Sequence, residues 1–473
     1  MVISKFMKLP RNKWLGLIIV LAAPLLSIID VFIINVAIPA IKIGVHANDA
    51  ELQLVIAGYL LGYAGFLITG ARAGDHYGKK HVFFWGMLGF TISSCLCAMA
   101  ITPLQLNVMR FLQGTSASFM VPQAIAYIQI LFTEPGERAK AYGLFGITLG
   151  VASVAGQILG GYLSDVHWII QGWRLIFFIN LPIGFITLVA AYYCLEETKT
   201  IKAGKFDYSG ILILTLALFA LIYPLIEGRQ AGWPLWSILL ILSSFLLFVY
   251  FYKNQEKKLK SANEPLVDMR LFKLKDFDIG LVAVFFHFMM HTSFLMISAI
   301  YIQNGLSISA TDCGIYFIPA GTFFTISSSF APRLTSRYGK KVLLVGLSII
   351  FAALILQWIY LKPQGIRIII PILLGTYGFG NGLVLPSLLN LTLMNVPVEY
   401  SGAAAGVYST VQQTASALGI SIIGGVFFYY KPSGWELAFI ASVVSFIACL
   451  SLVALMLFLL PDTKKAISGA SLE

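Results

Sequence analysis

The stretch Ala71-Arg-Ala-Gly-Asp-His-Tyr-Gly-Lys-Lys80 recurs 261 positions later as Pro332-Arg-Leu-Thr-Ser-Arg-Tyr-Gly-Lys-Lys341. Each copy is a basic segment of ten residues between two long apolar runs, and it is too short to fold by itself. Its repetition at the same place in both halves predicts a duplicated membrane protein, in which two related helical bundles face each other.

The composition predicts that lipid is the solvent for most of the surface. Hydrophobic residues make up 58% of the 473 residues, charged residues make up 11%, and the mean hydropathy is +0.86. Only helices and closed barrels satisfy their backbone groups in a bilayer, and continuous apolar runs of about 20 residues favour helices. The sequence therefore predicts an all-α, polytopic membrane protein.

Runs of this length divide the chain into three parts. Residues 1–200 and 278–473 each hold a predicted six-helix bundle, and residues 201–277 hold two extra transmembrane helices and a cytoplasmic linker. Repeats of this kind are typical of secondary transporters. The fourteen predicted spans are 14–37, 52–70, 82–101, 104–131, 140–163, 171–195, 208–227, 235–252, 278–303, 311–332, 342–361, 366–393, 402–429 and 436–460.

The basic residues predict the orientation. Of the 32 Lys and Arg residues, 25 lie at the termini or in loops on the same side, six lie in the opposite loops, and Arg110 lies inside a span. Because cytoplasmic loops retain positive charge, we expect both termini to be cytoplasmic in a multi-pass protein of the cell (inner) membrane. This asymmetry explains the net charge of +11 without a nucleic-acid partner.

Several chemistries find no support in the sequence. The five cysteines lie within or at the edges of apolar spans and have no paired spacing, which is typical of small core residues. No phosphate-binding loop of the form Gly-x-x-x-x-Gly-Lys-Ser/Thr occurs. We therefore expect no cofactor, no metal centre, no ATP-driven pump and no enzyme.

Two ionisable residues, Asp30 and Arg110, lie deep within spans. Asp30 lies seven residues, about 10 Å, before the outer end of its span, and Arg110 lies six residues, about 9 Å, after the start of its own, so both can sit at one level. Charged groups in a bilayer cost at least about 2.5 kcal/mol each and are usually functional. A movement that changes their separation would change the affinity of Asp30 for a proton. The alternative is a static bond that only orients the two helices.

The repeated loop and the remaining polar residues supply further candidates. Arg72, Gly74, Asp75, Gly78, Lys79 and Lys80 form a predicted cytoplasmic gate, in which Asp75 near a helix N-terminus holds helix ends together; the alternative is topological anchoring by the lysines. His287 and His291 lie one turn apart on one helix face and could bind a metal, relay a proton, line a cavity or simply pack. The cavity candidates are Asn35, Gln113, Gln157, His287, His291, Asn381, Gln412 and Gln413.

Four motifs resemble those of the major facilitator superfamily, in its fourteen-span drug:proton antiporter branch. The first repeat fits the frame Gly-x-Leu-x-Asp-Arg-x-Gly-Arg-Lys, although its first Gly, Leu and Arg are replaced. Asp30–Pro39 resembles Asp-x-Thr-Ile-Val-Asn-Val-Ala-Leu-Pro, and Arg110–Gly114 fits Arg-x-x-Gln-Gly. Trp173–Gly184 is the most specific match to the branch.

One departure from the family pattern bears on mechanism. Helix 5 of antiporters in this superfamily resembles Gly-Pro-x-x-Gly-Gly, and Gln157 replaces the proline here, while Gly156, Gly160 and Gly161 remain for close helix packing.

The resemblance implies proton-coupled export of amphipathic drugs or related small molecules by alternating access, with Asp30 as the proton carrier and Arg110 tuning it. Uptake or facilitated exchange of a specific small solute is the alternative, and a non-transporting sensor or scaffold is a third class. Expected partners are the lipid bilayer, a small lipophilic substrate, protons and, if the source is Gram-negative, a periplasmic adaptor. Since Asp30 is the deep acid, a neutral or monocationic substrate is favoured over a dication.

Overall fold

The computed structural model describes residues 12–166, 171–197, 207–261, 265–397 and 400–459, and this part of the chain is built from helices. The first half contains α1 (Lys13–Gly44), α2 (Asp49–Tyr77), α3 (Lys79–Ala98), α4 (Pro103–Leu131), α5 (Pro135–Ser164), α6 (Gly172–Phe178) and α7 (Asn180–Cys194). The extra pair is α8 (Tyr208–Gln230) and α9 (Leu235–Lys260). The second half contains α10 (Lys275–Ile300), α11 (Ala310–Tyr316), α12 (Ile318–Tyr338), α13 (Lys341–Tyr360), α14 (Ile369–Leu393), α15 (Ser401–Tyr430) and α16 (Trp435–Leu459).

These helices make fourteen crossings, because two crossings are broken. α6 and α7 meet at Ile179 and form one crossing, and α11 and α12 meet at Phe317 and form another. Pro319 lies in the first turn of α12, where its missing N–H is tolerated. Among the described helices, α4 and α12 are less apolar than the other twelve crossings. The fold is thus two six-helix bundles with two additional helices, as the sequence predicts.

The predicted span limits match the ends of the apolar stretches more closely than they match the ends of the helices. α1 continues seven residues beyond the predicted end at Ala37, because Pro39 is accommodated within the helix. α9 similarly continues past residue 252 to Lys260, through a charged last turn. Hydropathy follows the part of a helix that lies in lipid, whereas backbone hydrogen bonding continues into the aqueous layer.

Equivalent helices pack in the same way in the two halves. In the first half α1 packs on α5, and α4 packs on α2 and α3; in the second half α10 packs on α15, and α14 packs on α12 and α13. The two halves meet where α2 packs on α15, where α5 packs on α11 and α12, and where α1 packs on α10. α8 packs on both α2 and α15, so the extra pair lies against the seam between the halves.

The duplicated loop has a glycine with positive φ between two helices in both halves. Gly78, between α2 and α3, has φ 94°, and Gly339, between α12 and α13, has φ 60°. These positive values suit glycine, which has no Cβ to clash with the backbone. Each basic segment is therefore a tight helix–glycine–helix corner.

The two halves are joined at the side opposite the start of α1 and the end of α16. We call this the distal side, and the side of those two helix ends the terminal side. Asp165, at the distal end of α5, accepts hydrogen bonds from the Thr311 N–H and hydroxyl at 2.8 and 2.7 Å. Gln303 Nε2 donates to the Val36 carbonyl at 2.8 Å, and Lys431 Nζ lies 2.9 Å from an Asp49 carboxylate oxygen.

α5 and α12 separate toward the terminal side. At Gly161 an added methyl group would lie 2.4 Å from the Ala310 carbonyl oxygen, and at Gly150 it would lie 2.6 Å from Thr325 Oγ1. One and two turns closer to the terminal side, at Gly146 and Gly143, the added methyl group would meet no heavy atom within 4 Å. The structure therefore shows a state that is closed on the distal side.

Candidate functional site

The first polar site lies on α1 at Asp30, whose side chain is fully buried. Two glycines of α5 let the two helices approach closely at this level. An added methyl group at Gly156 would lie 2.9 Å from the Ile29 carbonyl oxygen, and one at Gly160 would lie 2.5 Å from the Ile33 carbonyl oxygen. The small face of α5 therefore covers the turn of α1 that carries Asp30.

Arg110 of α4 forms a buried ion pair with Asp30. Its Nη1 donates to Asp30 Oδ2 and, at 2.7 Å, to Gln113 Oε1, and its Nε donates to the Val55 carbonyl at 3.0 Å. Gln113 Nε2 closes the ring by donating to Asp30 Oδ1 at 2.8 Å. The predicted pair and one predicted cavity residue thus form a single network between α1 and α4.

Two aromatic rings line the guanidinium of Arg110. Its Cζ lies 4.5 Å from the centroid of the Tyr59 ring and 5.8 Å from that of Phe177, which are cation–π distances. The Tyr59 hydroxyl lies 2.8 Å from Ser27 Oγ on α1. α2 and α6 therefore help to fix the arginine at this depth.

Asn180, the first residue of α7, also belongs to the network, and the sequence did not select it as a site residue. Its Nδ2 lies 3.3 Å from Asp30 Oδ1 and 2.9 Å from Ser94 Oγ, and Ser94 in turn donates to the Phe177 carbonyl at 2.9 Å. The residue lies inside the motif Trp173–Gly184, where an Asn two residues before Pro182 in an apolar stretch was the available signal.

The network gives the Asp30 carboxylate three side-chain donors. Asp30 accepts hydrogen bonds from Arg110, Gln113 and Asn180, and Arg110 supplies its counter-charge. If the arginine moved away, the buried carboxylate would lose that counter-charge.

A second polar cluster lies in the other half, between α10 and α14. His287 Nε2 lies 2.8 Å from Asn381 Oδ1, and His291 Nδ1 lies 2.9 Å from the Tyr377 hydroxyl and 3.4 Å from Asn381 Nδ2. The histidine rings are nearly parallel, with centroids 6.2 Å apart. In the described part of the chain, no third His, Cys, Asp or Glu joins them in a metal-binding group.

The terminal-side loop differs from the predicted gate in its acidic partner. Asp75 lies in the last turn of α2 and pairs with Lys79 across Gly78. The N-terminus of α3 is bound instead by Glu197, which accepts from the N–H of Lys80 at 3.2 Å and from the next N–H. A carboxylate at that position suits the helix dipole. The sequence did not indicate Glu197, which follows the sixth crossing, because its contact with the N-terminus of α3 depends on the tertiary fold.

Arg72 and Gly74 have separate surroundings. At Gly74 an added methyl group would lie 2.0 Å from Gln123 Oε1, so the glycine allows α2 and α4 to meet. Arg270, and at longer range Arg72, hold the pKa of Asp268 below its usual range. The linker after α9 therefore lies near the terminal end of α2.

The other cavity candidates stay outside both clusters. Asn35 is buried and donates to the Val31 carbonyl at 3.1 Å. The buried Gln157 has an unpartnered Oε1, while its backbone carbonyl lies against Gly314 of α11. Gln412 and Gln413 are half-buried on α15 and form no hydrogen bond to either cluster within the described residues.

Gln53 of α2 is a buried residue that sequence reasoning missed. Neither of its side-chain polar atoms has a partner, and its Nε2 lies 3.3 Å from the position of a methyl group added at Gly424 of α15. It therefore places an unsatisfied amide in the seam between the halves. A lone Gln in an apolar run was the only signal for it.

Sequence comparison identifies relatives that are named for antibiotic transport or antibiotic resistance. The chain is 31% identical over 422 residues to the probable actinorhodin transporter of Streptomyces coelicolor, covering 88% of this chain and 73% of that protein. It is 30% identical over 425 residues to the puromycin resistance protein pur8 of Streptomyces alboniger, covering 88% and 82%. The methylenomycin A resistance protein of Bacillus subtilis is 25% identical and is covered to 93%.

Structure comparison finds the same fold in solved transporters. A bacterial homologue of the human lysosomal transporter Spinster superposes with a TM-score of 0.66 at 15% identity, over 95% of this chain and 98% of that one. A D-xylose–proton symporter superposes with a TM-score of 0.66 at 12% identity, over 95% and 98%. The family model of the Major Facilitator Superfamily matches residues 20–420. The chain therefore belongs to the Major Facilitator Superfamily.

Proposed function

We propose that this transporter exports amphipathic small molecules from the cytoplasm in exchange for protons, with Asp30 as the proton carrier and Arg110 as its tuning partner. The observation that carries the proposal is the fully buried Asp30–Arg110 pair, whose hydrogen-bond network draws on five crossings of one bundle. The names of two relatives, a probable actinorhodin transporter and a puromycin resistance protein, support the substrate class.

The orientation completes the proposal. The excess of Lys and Arg on the terminal side supports a cytoplasmic location for that side. In that orientation the structure is the state that faces the cytoplasm. In this state Asp30 is paired with Arg110 and the transporter can receive substrate from the cytoplasm. Opening of the distal side would separate Arg110 from Asp30, and a proton from outside would bond to a carboxylate oxygen. Return to the present state would re-form the ion pair and release that proton to the cytoplasm.

The test is ethidium transport by the purified protein in proteoliposomes with an imposed pH gradient. Wild type is expected to move ethidium against its gradient, and a protonophore should abolish this transport. Asp30→Asn is expected to lose proton-driven transport at equal reconstitution. Asp312→Asn, at an exposed position on α11, is the matched control and should behave as wild type.

A second variant separates coupling from folding. Asp30→Asn leaves Arg110 as a buried charge without its partner, which costs about 3–5 kcal/mol. Asp30→Asn with Arg110→Gln removes both charges and should restore stability without restoring coupling. Transport that ignores the pH gradient, or full activity of Asp30→Asn, would remove Asp30 from the mechanism and favour facilitated exchange.

A further inference from the structure

The histidine cluster occupies the position in the second half that the Asp30 network occupies in the first. Asp30 lies on the first helix of its bundle and is bonded from the fourth helix, α4. His287 and His291 lie on α10, the first helix of the second bundle, and are bonded from its fourth helix, α14. The duplication has therefore placed a titratable group at the same pair of helices in both halves.

The hydrogen bonds define the state of the two imidazoles. Because an amide oxygen only accepts, His287 Nε2 carries a hydrogen and donates to Asn381 Oδ1. The Asn381 amide nitrogen then donates to His291 Nδ1 at 3.4 Å, while the Tyr377 hydroxyl lies 2.9 Å from that nitrogen and 3.6 Å from Met290 Sδ. Asn381 thus links the two rings, and these contacts form with both histidines neutral.

One atom of the cluster has no partner. His287 Nδ1 is buried without a hydrogen bond, and the side chain is fully inaccessible. A proton added to this nitrogen would create a buried imidazolium whose new N–H has no acceptor, which is unfavourable. His287 is therefore held neutral in the distal-closed state.

The surroundings supply no competing charge. α14 contributes Tyr377, and neighbouring turns of α10 meet α15 through a Thr292–Ser416 hydrogen bond and α16 through Phe294 and Phe446. In the part of the chain that the structure describes, no charged group from α1, α14, α15 or α16 bonds to either imidazole. A proton on the cluster would therefore add a full positive charge to the centre of the second bundle.

We infer that His287 is a second proton-binding site, repeat-related to Asp30, which takes a proton on Nδ1 when the distal side opens and releases it in the present state. Asn381 and His291 are positioning residues that hold the ring as the Nε2–H tautomer. Protonation uses the free lone pair of Nδ1 and breaks no bond. This inference rests on the proposed function and adds that two protons enter for each substrate exported.

The number of protons decides whether transport responds to the membrane potential. Two protons exchanged for one ethidium cation move a net charge of +1 inward, so an inside-negative potential should drive export. One proton exchanged for one ethidium cation is electroneutral. His287→Gln keeps an amide N–H for Asn381 but cannot bind a proton, so it should convert the first behaviour into the second.

The experiment measures ethidium transport in proteoliposomes while valinomycin and potassium set the potential and buffers set the pH gradient. We expect a ratio of two protons per ethidium for wild type and for the exposed control His46→Gln, and a ratio of one for His287→Gln, whose transport still follows the pH gradient. An unchanged ratio in His287→Gln would overturn the inference.

A second measurement does not depend on transport. The chain contains six histidines, so ring-carbon NMR of protein labelled at histidine can be assigned with His287→Gln and His291→Gln. We expect the His287 signal to stay at the neutral position while the distal side is closed, and to move toward the protonated position in acid when Asp165→Asn weakens the distal closure. A signal that stays at the neutral position throughout would overturn the inference. If wild type shows no proton coupling while His287 titrates, the export proposal falls and the proton site stands.

Discussion

At the scale of single residues, the Asp30–Arg110 pair is better explained by function than by stability. Both side chains are almost completely buried, at 0% and 1% exposure. Replacing a buried ion pair with apolar residues is often neutral or stabilising, because desolvation offsets the attraction. Gln113 and Asn180 lower that cost by bonding to the carboxylate. A contact that only held α1 and α4 together could be made by apolar residues. The charged pair at this depth therefore favours a functional role over a purely structural one.

Arg110→Lys should show that the shape of the guanidinium matters as well as its charge. Its nitrogens bond to Asp30, Gln113 and the Val55 carbonyl at once, which a lysine ammonium at the end of a flexible stem cannot reproduce. We expect at least about a tenfold loss of proton-driven ethidium transport, equivalent to about 1.4 kcal/mol.

Arg174→Lys provides the control for that substitution. Arg174 also bonds to backbone carbonyls, at 2.6 and 2.7 Å, and stacks on Trp173 at 4.3 Å, but it lies at the distal end of the first bundle, away from Asp30. Its lysine variant should lose stability with little loss of coupling. Wild-type transport by Arg110→Lys would show that charge alone is sufficient.

The sequence could identify the members of the site that are unusual for a membrane, and it could not identify those defined by packing. Asp30 and Arg110 were predicted because charges are rare in apolar runs, and their helical depth was calculable. Asn180, Tyr59 and Tyr377 are ordinary residues in such runs, and only the crossing of their helices brings them to the charged groups or histidines.

At the scale of elements, α5 has two small faces with different partners. Gly156 and Gly160 pack against the backbone of α1, and Gly161 packs against the backbone of α11 in the other half. The sequence predicted close packing at these glycines but not the two partners, because the partners depend on how the bundles face each other. α5 therefore connects the Asp30 turn with the distal closure.

Gly160→Ala should lower the thermal stability of the purified protein. The new methyl group would lie 2.5 Å from the Ile33 carbonyl oxygen, so α5 must move away from α1. Overpacking of this kind typically costs about 1–3 kcal/mol. Gly143→Ala on the same helix is the control, since its methyl group meets no atom within 4 Å and alanine favours a helix by about 1 kcal/mol. Equal melting temperatures for the two variants would contradict this account of α5.

The extra helix pair is tied to the linker by one buried carboxylate, Asp207. It accepts from the Gly210 N–H at 2.6 Å, from Gln255 Nε2 at 2.8 Å, from the Leu266 N–H at 2.9 Å and from Lys258. Burial raises the pKa of Asp207, but these donors together hold it below its usual range. The residue therefore joins the start of α8, the end of α9 and the linker as an anion.

Asp207→Asn should lower stability at pH 7 by about 1.5–3 kcal/mol, the range for hydrogen bonds to a charged group. Because the folded-state pKa is lowered, this stabilisation is present above the unfolded value of about 3.9 and is lost as the pH falls through the folded value. The melting temperatures of wild type and variant should therefore converge below about pH 4. Glu256→Gln, in an exposed pair with Lys260, is the control and should change stability little. A difference that persists in acid would show that the carboxylate charge is not the cause.

At the scale of the whole molecule, the duplication explains both the fold and the way it closes. The sequence showed the duplication as a repeat of ten residues, which correspond to the two basic corners. The matching helix contacts and the paired positions of the two polar clusters became visible only in the fold. The state of the molecule was not visible, because closure depends on pairs such as Asp165–Thr311 and Gln303–Val36 that lie far apart in the chain. The breaks at Ile179 and Phe317 were also missed, since hydropathy is continuous across them.

A disulfide across the distal closure should trap the transporter. Asp165 accepts from both the N–H and the hydroxyl of Thr311, so the two residues are in direct contact across the closure and are the pair at which to introduce cysteines. Asp165→Cys with Thr311→Cys is expected to bind ethidium from the terminal side but to lose net transport when oxidised, because distal opening is prevented. Dithiothreitol should restore transport, whereas each single-cysteine variant should be insensitive to oxidation. The native cysteines are half-buried or buried, so they should form no competing bridge. If the oxidised double variant transports at the wild-type rate while the disulfide is intact, the halves do not need to part at this side, and the proposed alternation of access to Asp30 would be wrong.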